Sequence, residues 1–297
     1  MNGILDVADE VREALAAGRP VVALETTLVA HGFPAGRGVE VGLTSERRVR
    51  DSGAVPSTIG VLDGAVRVGV GRRELERFTP DARKVGPRDL AACASQGAVG
   101  ATTVGGTLAV CAAVGIRALG TGGLGGVHRG WQENPDVSPD LRALASTQAV
   151  VVSSGAKSLL DVRTTAEVLE SLGIPVLGLG TDELPLFYAA RGGPPVSARV
   201  ESATEAAGIA ARHWELGGRG LLVANPPAES LDDVEPLIAD GLAEAERRGI
   251  AGQAVTPFVL SFLHERSGGR TLESNARLVA DNAAVAAEVA VAYARLR

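Results

Sequence analysis

Aromatic residues make up only 3% of this 297-residue chain, so its core must be packed from alanine, valine and leucine rather than from rings. With 45% hydrophobic residues and 38 glycines, that composition suits an α/β protein with many tight turns. Cysteine is nearly absent. Cys93 and Cys111 both stand in apolar small-residue stretches, which excludes a disulfide framework and reads as two reduced core residues of a cytosolic protein. There is no basic excess: Lys+Arg number 29 against 35 Asp+Glu, for a net charge of −6, which argues against a general nucleic-acid-binding surface. No apolar run approaches the roughly 18 residues that a membrane span needs. The opening MNGILDVADEVREAL carries acidic residues early and has no apolar core of a signal peptide. A soluble cytoplasmic protein is the expectation. With neither an internal repeat nor a low-complexity linker, one domain over residues 1–297 is expected.

What is present concentrates between Ala118 and Leu160. That stretch holds seven glycines, one of four histidines, the two aspartates of DVSPDL and one lysine, Lys157, placed directly after an apolar run. Gln148 to Val152 reads as a buried strand, Ser153-Ser154-Gly155 as a turn, and Ser158 to Gly173 as a helix. On that reading Lys157 lies in the first turn of a helix, where the macrodipole opposes a cation and apolar walls further disfavour the ammonium. Both effects favour the free amine that attacks a carbonyl to form a Schiff base. A solvated lysine, or one holding a phosphate at the helix start, fits the position as well.

Along the rest of the chain, Ile4, Val7, Val11 and Leu15 give helical spacing, ended by Gly18 and Pro20. Val21 to Leu24 is a buried strand that delivers Glu25 at its carboxyl end, where open α/β sheets collect ligands. Glu25 is a candidate acid or base, His31 a weaker one; a salt-bridged carboxylate at a strand end is the alternative for Glu25. A helix follows over Gly38 to Ser52. Two apolar runs around Asp63-Gly64 then signal a hairpin. Lys84 and Arg88 precede another helix and are placed to grip an anion, or to be solvated. Gly120, Gly122 and Gly125 match a G-x-G-x-x-G fingerprint, but the breakers in VHRGWQENPDVSP deny it the helix it must open, so a nicotinamide site is discounted. Later segments read as a strand over 174–180, a helix from Val200 to Glu215, a strand from Gly220 to Ala224, and helices over 231–248, 256–266 and 274–296. This alternation describes an α/β sandwich.

The phrases ALETTLVAHGFP, AVPSTIGVLDGAVRVG, KVGPRDL, GATTVGGTL, GTGGLGGVHRG, DVSPDL, SSGAKSLLD, GLGTDELPLFY, ANPP and AVTPFVL cover nearly the whole chain. In that order they closely resemble the pseudouridine-5'-phosphate glycosidases, also called indigoidine synthase A-like proteins. The resemblance implies a three-layer α/β/α sandwich around a mixed central sheet, assembled as a homotrimer. It also implies a divalent metal, usually Mn2+, and reversible cleavage of the C–C glycosidic bond of pseudouridine 5'-phosphate to uracil and ribose 5-phosphate. Through it Lys157 corresponds to the Schiff-base nucleophile and Glu25 to the proton donor. Lys84 and Val104 match substrate contacts, Ser138, Pro139 and Asp140 a substrate-binding tripeptide, and Thr121 and His128 further pocket positions. Asp136 corresponds to the metal-associated carboxylate. Asn275 corresponds to a pocket asparagine, with Asn282 as the alternative.

The residue types suit that chemistry. A carbon–carbon glycosidic bond has no lone pair on the leaving atom, so protonating a heteroatom as ordinary glycosidases do does not release the base. Condensing C1 of the opened ribose with Lys157 lets an iminium form there, and protonation of uracil C5 by Glu25 lets the bond break. Asp136 alone is a sparse metal site, which water would complete around a hard cation. Two departures from the family pattern stand out. Ala35-Gly36-Arg37-Gly38 replaces a proline–asparagine continuation of the His-Gly-x-Pro phrase, and Pro139 removes a backbone N–H from the tripeptide. Two other classes remain in view: a Schiff-base aldolase-type lyase acting on another sugar phosphate, and a catalytically silent nucleotide-binding protein in which Lys157 merely holds phosphate.

Overall fold

The computed structural model describes residues 3–297 apart from Ala35, Asn134, Asp232 and Ala251, with Gln253 described by its backbone alone. The chain begins with a three-residue strand, β1 (Leu5–Val7), and helix α1 (Asp9–Ala16), not with the single helix that the spacing of Ile4 to Leu15 suggests. Leu5 and Val7 alternate as well as they fit a helical stripe, and a free sheet edge takes them as a parallel strand. Next come β2 (Val21–Glu25), α2 (Thr27–His31) and α3 (Arg37–Asp51). In α3 Gly38 is required by contact, since a Cβ there would stand 2.0 Å from the Val29 carbonyl oxygen. Of the unusual loop before it, Ala35 lies outside the described residues.

The predicted hairpin is present: β3 (Val55–Leu62) turns into β4 (Ala65–Val68), with Leu62 opposite Ala65. Asp63 and Gly64 both have positive φ, 52° and 78°, as a two-residue type I′ turn demands. The chain continues through α4 (Arg72–Leu75), β5 (Arg83–Val85), α5 (Leu90–Ser95), β6 (Gly100–Thr102), α6 (Val104–Val114) and β7 (Ala118–Gly120). Among the described residues after β7 no helix opens until α7 (Pro139–Ser146), so the glycine fingerprint has no helix to serve. Then follow β8 (Val150–Ser153), α8 (Val162–Ser171), β9 (Val176–Leu179), β10 (Ala198–Val200), α9 (Ala203–Glu215) and β11 (Leu221–Ala224). Helices α10 (Val234–Arg247), α11 (Val255–Arg266) and α12 (Arg270–Ala294) complete the chain. β10 takes Val200 from the start of the helix expected there. Cys93 and Cys111 are free and buried, as read.

Among the described residues the strands form one mixed sheet in the order β1-β4-β3-β2-β7-β8-β11-β9-β10. The seven from β3 to β10 along that order run parallel, while β4 and β6 run antiparallel to β3, and β1 and β5 follow them. Alternate residues face opposite layers. Val21, Ala23 and Val151 pack toward α1, α5, α6, α7 and α8, whereas Val22, Leu24, Val150 and Val152 pack toward α3, α9 and α12. This is the three-layer α/β/α sandwich. The alanine-rich α12 lies so close to the sheet that a Cβ on Gly120 would approach Ala283 Cα to 2.8 Å. A third apolar cluster, joining Leu159, Leu160, Phe187 and Tyr188 to α10 and α11, covers the loops at the carboxyl ends of the parallel strands.

Candidate active site

The site forms where two strands end head to head. β2 pairs with the first half of β3 and stops at Glu25, opposite Ile59; β6 arrives from the other direction on the same edge of β3, pairing Gly60 and Val61. The carbonyl of Ile59 accepts from both the Thr26 hydroxyl at 2.8 Å and the Thr102 hydroxyl at 2.7 Å, and the Thr102 N–H donates to Thr26 Oγ1 at 2.9 Å. These contacts satisfy the junction without another strand. Glu25 is left at the break, 3% exposed, with its carboxylate accepting from the Thr121 hydroxyl just beyond β7. Burial pushes the Glu25 carboxyl above its ordinary range, against the opposing pull of the Lys157 ammonium and the Thr121 hydroxyl. A carboxyl held so is suited to keep a proton and to give it up inside the site.

Lys157 is not in a helix, contrary to the expectation from sequence. α8 starts five residues later, capped by Asp161, whose carboxylate accepts from the Thr164 N–H at 3.0 Å. The macrodipole argument therefore does not apply to Lys157. Its loop is fixed by backbone bonds to the β7–α7 connection: Leu124 N–H to the Gly155 carbonyl at 2.9 Å and Lys157 N–H to the Leu124 carbonyl at 3.0 Å. Gly155, at φ 87°, permits the sharp turn, and a Cβ there would meet the Pro185 carbonyl at 2.1 Å.

Lys84 occupies the middle of β5 and faces the same space. Burial, followed by the repulsion of Lys157, brings its amine down to about 8, despite Asp140, Glu25 and Asp136 nearby. The chain has two lysines in all, and both line this site.

The DVSPDL phrase divides its roles. Ser138 caps α7, and Pro139 takes the first helical position, where a missing N–H leaves no intrahelical bond unmade. Asp140 is buried, and its carboxylate accepts from the Gly105 N–H at 2.7 Å and the Gly125 N–H at 3.0 Å. It thereby binds the start of α6 to the glycine loop. Val104 sits in that same first turn with its side chain fully buried in the core, so only its backbone is available to a ligand. Asp136 keeps an open carboxylate 3.9 Å from His128 Nε2. Burial lowers the His128 imidazole, ahead of the opposing effect of Asp136. Among the described residues no group of three or more His, Cys, Asp or Glu gathers at one point. A hard cation bound at Asp136 would therefore carry mostly water or ligand oxygens, a donor set that such cations accept.

Two connected hollows meet at Lys84, Lys157 and Thr256. The inner one, narrow at about 50 Å³, is lined by Glu25, Thr27, His31, Thr121, Asn275 and Phe187 among others. The outer one, about 400 Å³, holds Arg88, His128, Asp136, Ser138, Pro139 and Asp140. All the predicted site residues except Val104 thus line one of the two. Asn275 reaches the inner hollow. Asn282 does not: its amide donates to the Thr121 carbonyl at 2.7 Å and to Ser154 Oγ at 3.1 Å, and its oxygen accepts from Asn225 at 2.9 Å. Sequence reasoning missed Thr256 and Phe187 as lining residues; AVTPFVL and GLGTDELPLFY hold them but distinguish neither. A further cavity of about 510 Å³, behind Ser158 and Leu160, contains none of the predicted residues.

Fold and site together define an α/β/α protein with a lysine–carboxylate pair at the carboxyl ends of its parallel strands. The family model described as indigoidine synthase A like protein matches residues 10–292. The chain belongs to that family. It is 45% identical to a protein of Deinococcus radiodurans named pseudouridine-5'-phosphate glycosidase, covering 100% of this chain and 97% of the relative. A Streptomyces griseus protein of the same name is 48% identical over 97% of this chain and 92% of its own length. Among solved structures, the prealnumycin C-glycosynthase AlnA in complex with ribulose 5-phosphate superposes with a TM-score of 0.90 at 39% identity, over 100% of this chain and 99% of that one.

Proposed function

We propose that this chain cleaves pseudouridine 5'-phosphate reversibly to uracil and ribose 5-phosphate; its relatives carry the name pseudouridine-5'-phosphate glycosidase. The observation that carries the reading is the two-part cavity with Lys157 at its waist and the buried Glu25 in its inner part. The base occupies the inner hollow and the ribose phosphate the outer one; the sugar phosphate held by AlnA supports an acyclic pentose phosphate as ligand. The amine of Lys157 bonds to C1′ as the C1′–O4′ bond opens and O4′ takes up a proton. Glu25 then gives its proton to C5 of the base. The C1′–C5 bond breaks with its electron pair returning to the pyrimidine, while the lysine nitrogen pair forms C=N with C1′. Water hydrolyses this imine, releasing ribose 5-phosphate and restoring the amine.

Lys84 faces the phosphate-bearing part as a cation, and Thr121 orients the Glu25 carboxyl. Asp136, with His128 beside it, would hold a divalent cation, manganese by family resemblance, which supplies positive charge against the phosphate. A homotrimer is carried by the same resemblance. Among the described residues no helix is long and apolar enough to cross a membrane.

Incubation with ribose 5-phosphate and borohydride, with and without uracil and Mn2+, followed by peptide mass spectrometry, tests the reading. The expected result is a reduced sugar-phosphate adduct on Lys157 and, in the unreduced control, uracil-dependent formation of pseudouridine 5'-phosphate. An adduct without that product points to the aldolase-type alternative, and no adduct on Lys157 rejects the nucleophile.

A further inference from the structure

We infer that Phe187 is the base-recognition surface of the inner hollow, its ring forming the flat apolar wall against which the pyrimidine packs; this rests on the proposed reaction. Phe187 has φ +68°, in the left-handed region that bulky side chains rarely enter, yet it is only 3% exposed. Its N–H donates to the Ser154 carbonyl at 3.0 Å, and the Tyr188 ring meets it edge-on at 4.7 Å with 90° between planes. Such strained residues gather at binding sites, where surrounding structure holds them in place. Here the strain sets a ring against the two glycines that follow Thr121. A Cβ on Gly123 would stand 2.7 Å from the Phe187 ring and 3.3 Å from Lys157 Cγ, so the bare backbone lets ring and lysine stem flank one gap. No other phenylalanine, tyrosine or tryptophan among the described residues lines either hollow. The remaining apolar lining of the inner hollow, Leu28, Leu260 and Val279 among it, is aliphatic. An aromatic wall next to the nucleophile matches a planar base, and not the open-chain sugar on the other side of the lysine.

The test compares Phe187→Leu and Phe187→Gly with the unaltered protein in the synthetic direction. Stacking of a base on a ring is commonly worth about ten-fold or more in affinity, so both variants should show a KM for uracil raised by about that factor. Borohydride trapping of ribose 5-phosphate on Lys157 should persist in both. Glycine relieves the positive φ, so equal loss in the two variants assigns the effect to the ring and not to the backbone. Uracil and 5,6-dihydrouracil are compared as inhibitors of cleavage by the unaltered protein; the two share their hydrogen-bonding edge, but only uracil is planar. Uracil should bind about ten-fold more tightly. Where neither variant folds, this comparison decides, and equal inhibition overturns the inference. An unchanged uracil KM in a folded Phe187→Leu overturns it too, leaving the reaction intact. If the unaltered protein makes no pseudouridine 5'-phosphate, the reaction and this inference fall together.

Discussion

Lys84 is the residue whose environment most directly sets a pH dependence. Its amine is lowered to about 8, chiefly by burial and then by Lys157, so the ammonium is present below that pH and lost above it. If its charge binds the phosphate, the KM for pseudouridine 5'-phosphate should rise as the pH passes upward through about 8. Lys84→Arg, which stays protonated, should flatten that rise, and Lys84→Met should hold KM at the alkaline level throughout. A pH–KM profile with the same inflection in all three proteins would show that Lys84 is not its source. At this scale the sequence placed Glu25 at the carboxyl end of a buried strand, as found, while position alone left a salt-bridged carboxylate open beside a catalytic one. It could not choose between Asn275 and Asn282. The two are seven residues apart on α12, two turns along one stripe, and only packing shows that one is consumed by hydrogen bonds while the other meets the cavity.

Among the elements, α6 and α7 depend on one buried side chain. Asp140 gives its carboxylate to N–H groups of Gly105 and Gly125, two segments that have no room for a β-carbon beside it: a Cβ would come within 3.0 Å of an Asp140 oxygen at Gly105 and 2.6 Å at Gly125. Asp140→Ala leaves two buried donors without acceptors and should lower stability by about 3 kcal/mol, measured by chemical denaturation; a change within error would show that water replaces the carboxylate. Elements with paired signals were legible. Asp63-Gly64 between apolar runs specified both the hairpin and its turn. The start of α8 was misplaced because Leu159 and Leu160, which extend the apparent helical stripe, belong instead to the apolar cluster beneath α10 and α11. Its actual start was marked by Asp161 as an N-cap. The short strands β1 and β10 are set by free sheet edges, a tertiary cause that three residues cannot announce.

For the whole molecule, the mixed sheet does what alternation alone does not predict. Reversing β6 against β3 brings two strand ends together and leaves the carboxylate of one in the gap. The sequence showed alternating strands and helices, but strand direction depends on which edge each strand reaches, and that is a property of the assembled sheet. The assembly proposed from resemblance is checked by light scattering: three times the 30.2 kDa chain mass is expected, and a single chain mass at working concentration would reject it. One feature of the composition bears on how the molecule meets its surroundings. Twenty-seven arginines and two lysines supply its cations, and both lysines face the cavity, so the outer surface offers no lysine amine to acylating agents, to amine-coupled supports or to conjugating enzymes. Apart from the α-amino group, a general amine reagent therefore has only the two cavity lysines to modify, slowed by whatever fills the site, while a guanidine-directed reagent meets an exterior whose permanently cationic side chains are arginine.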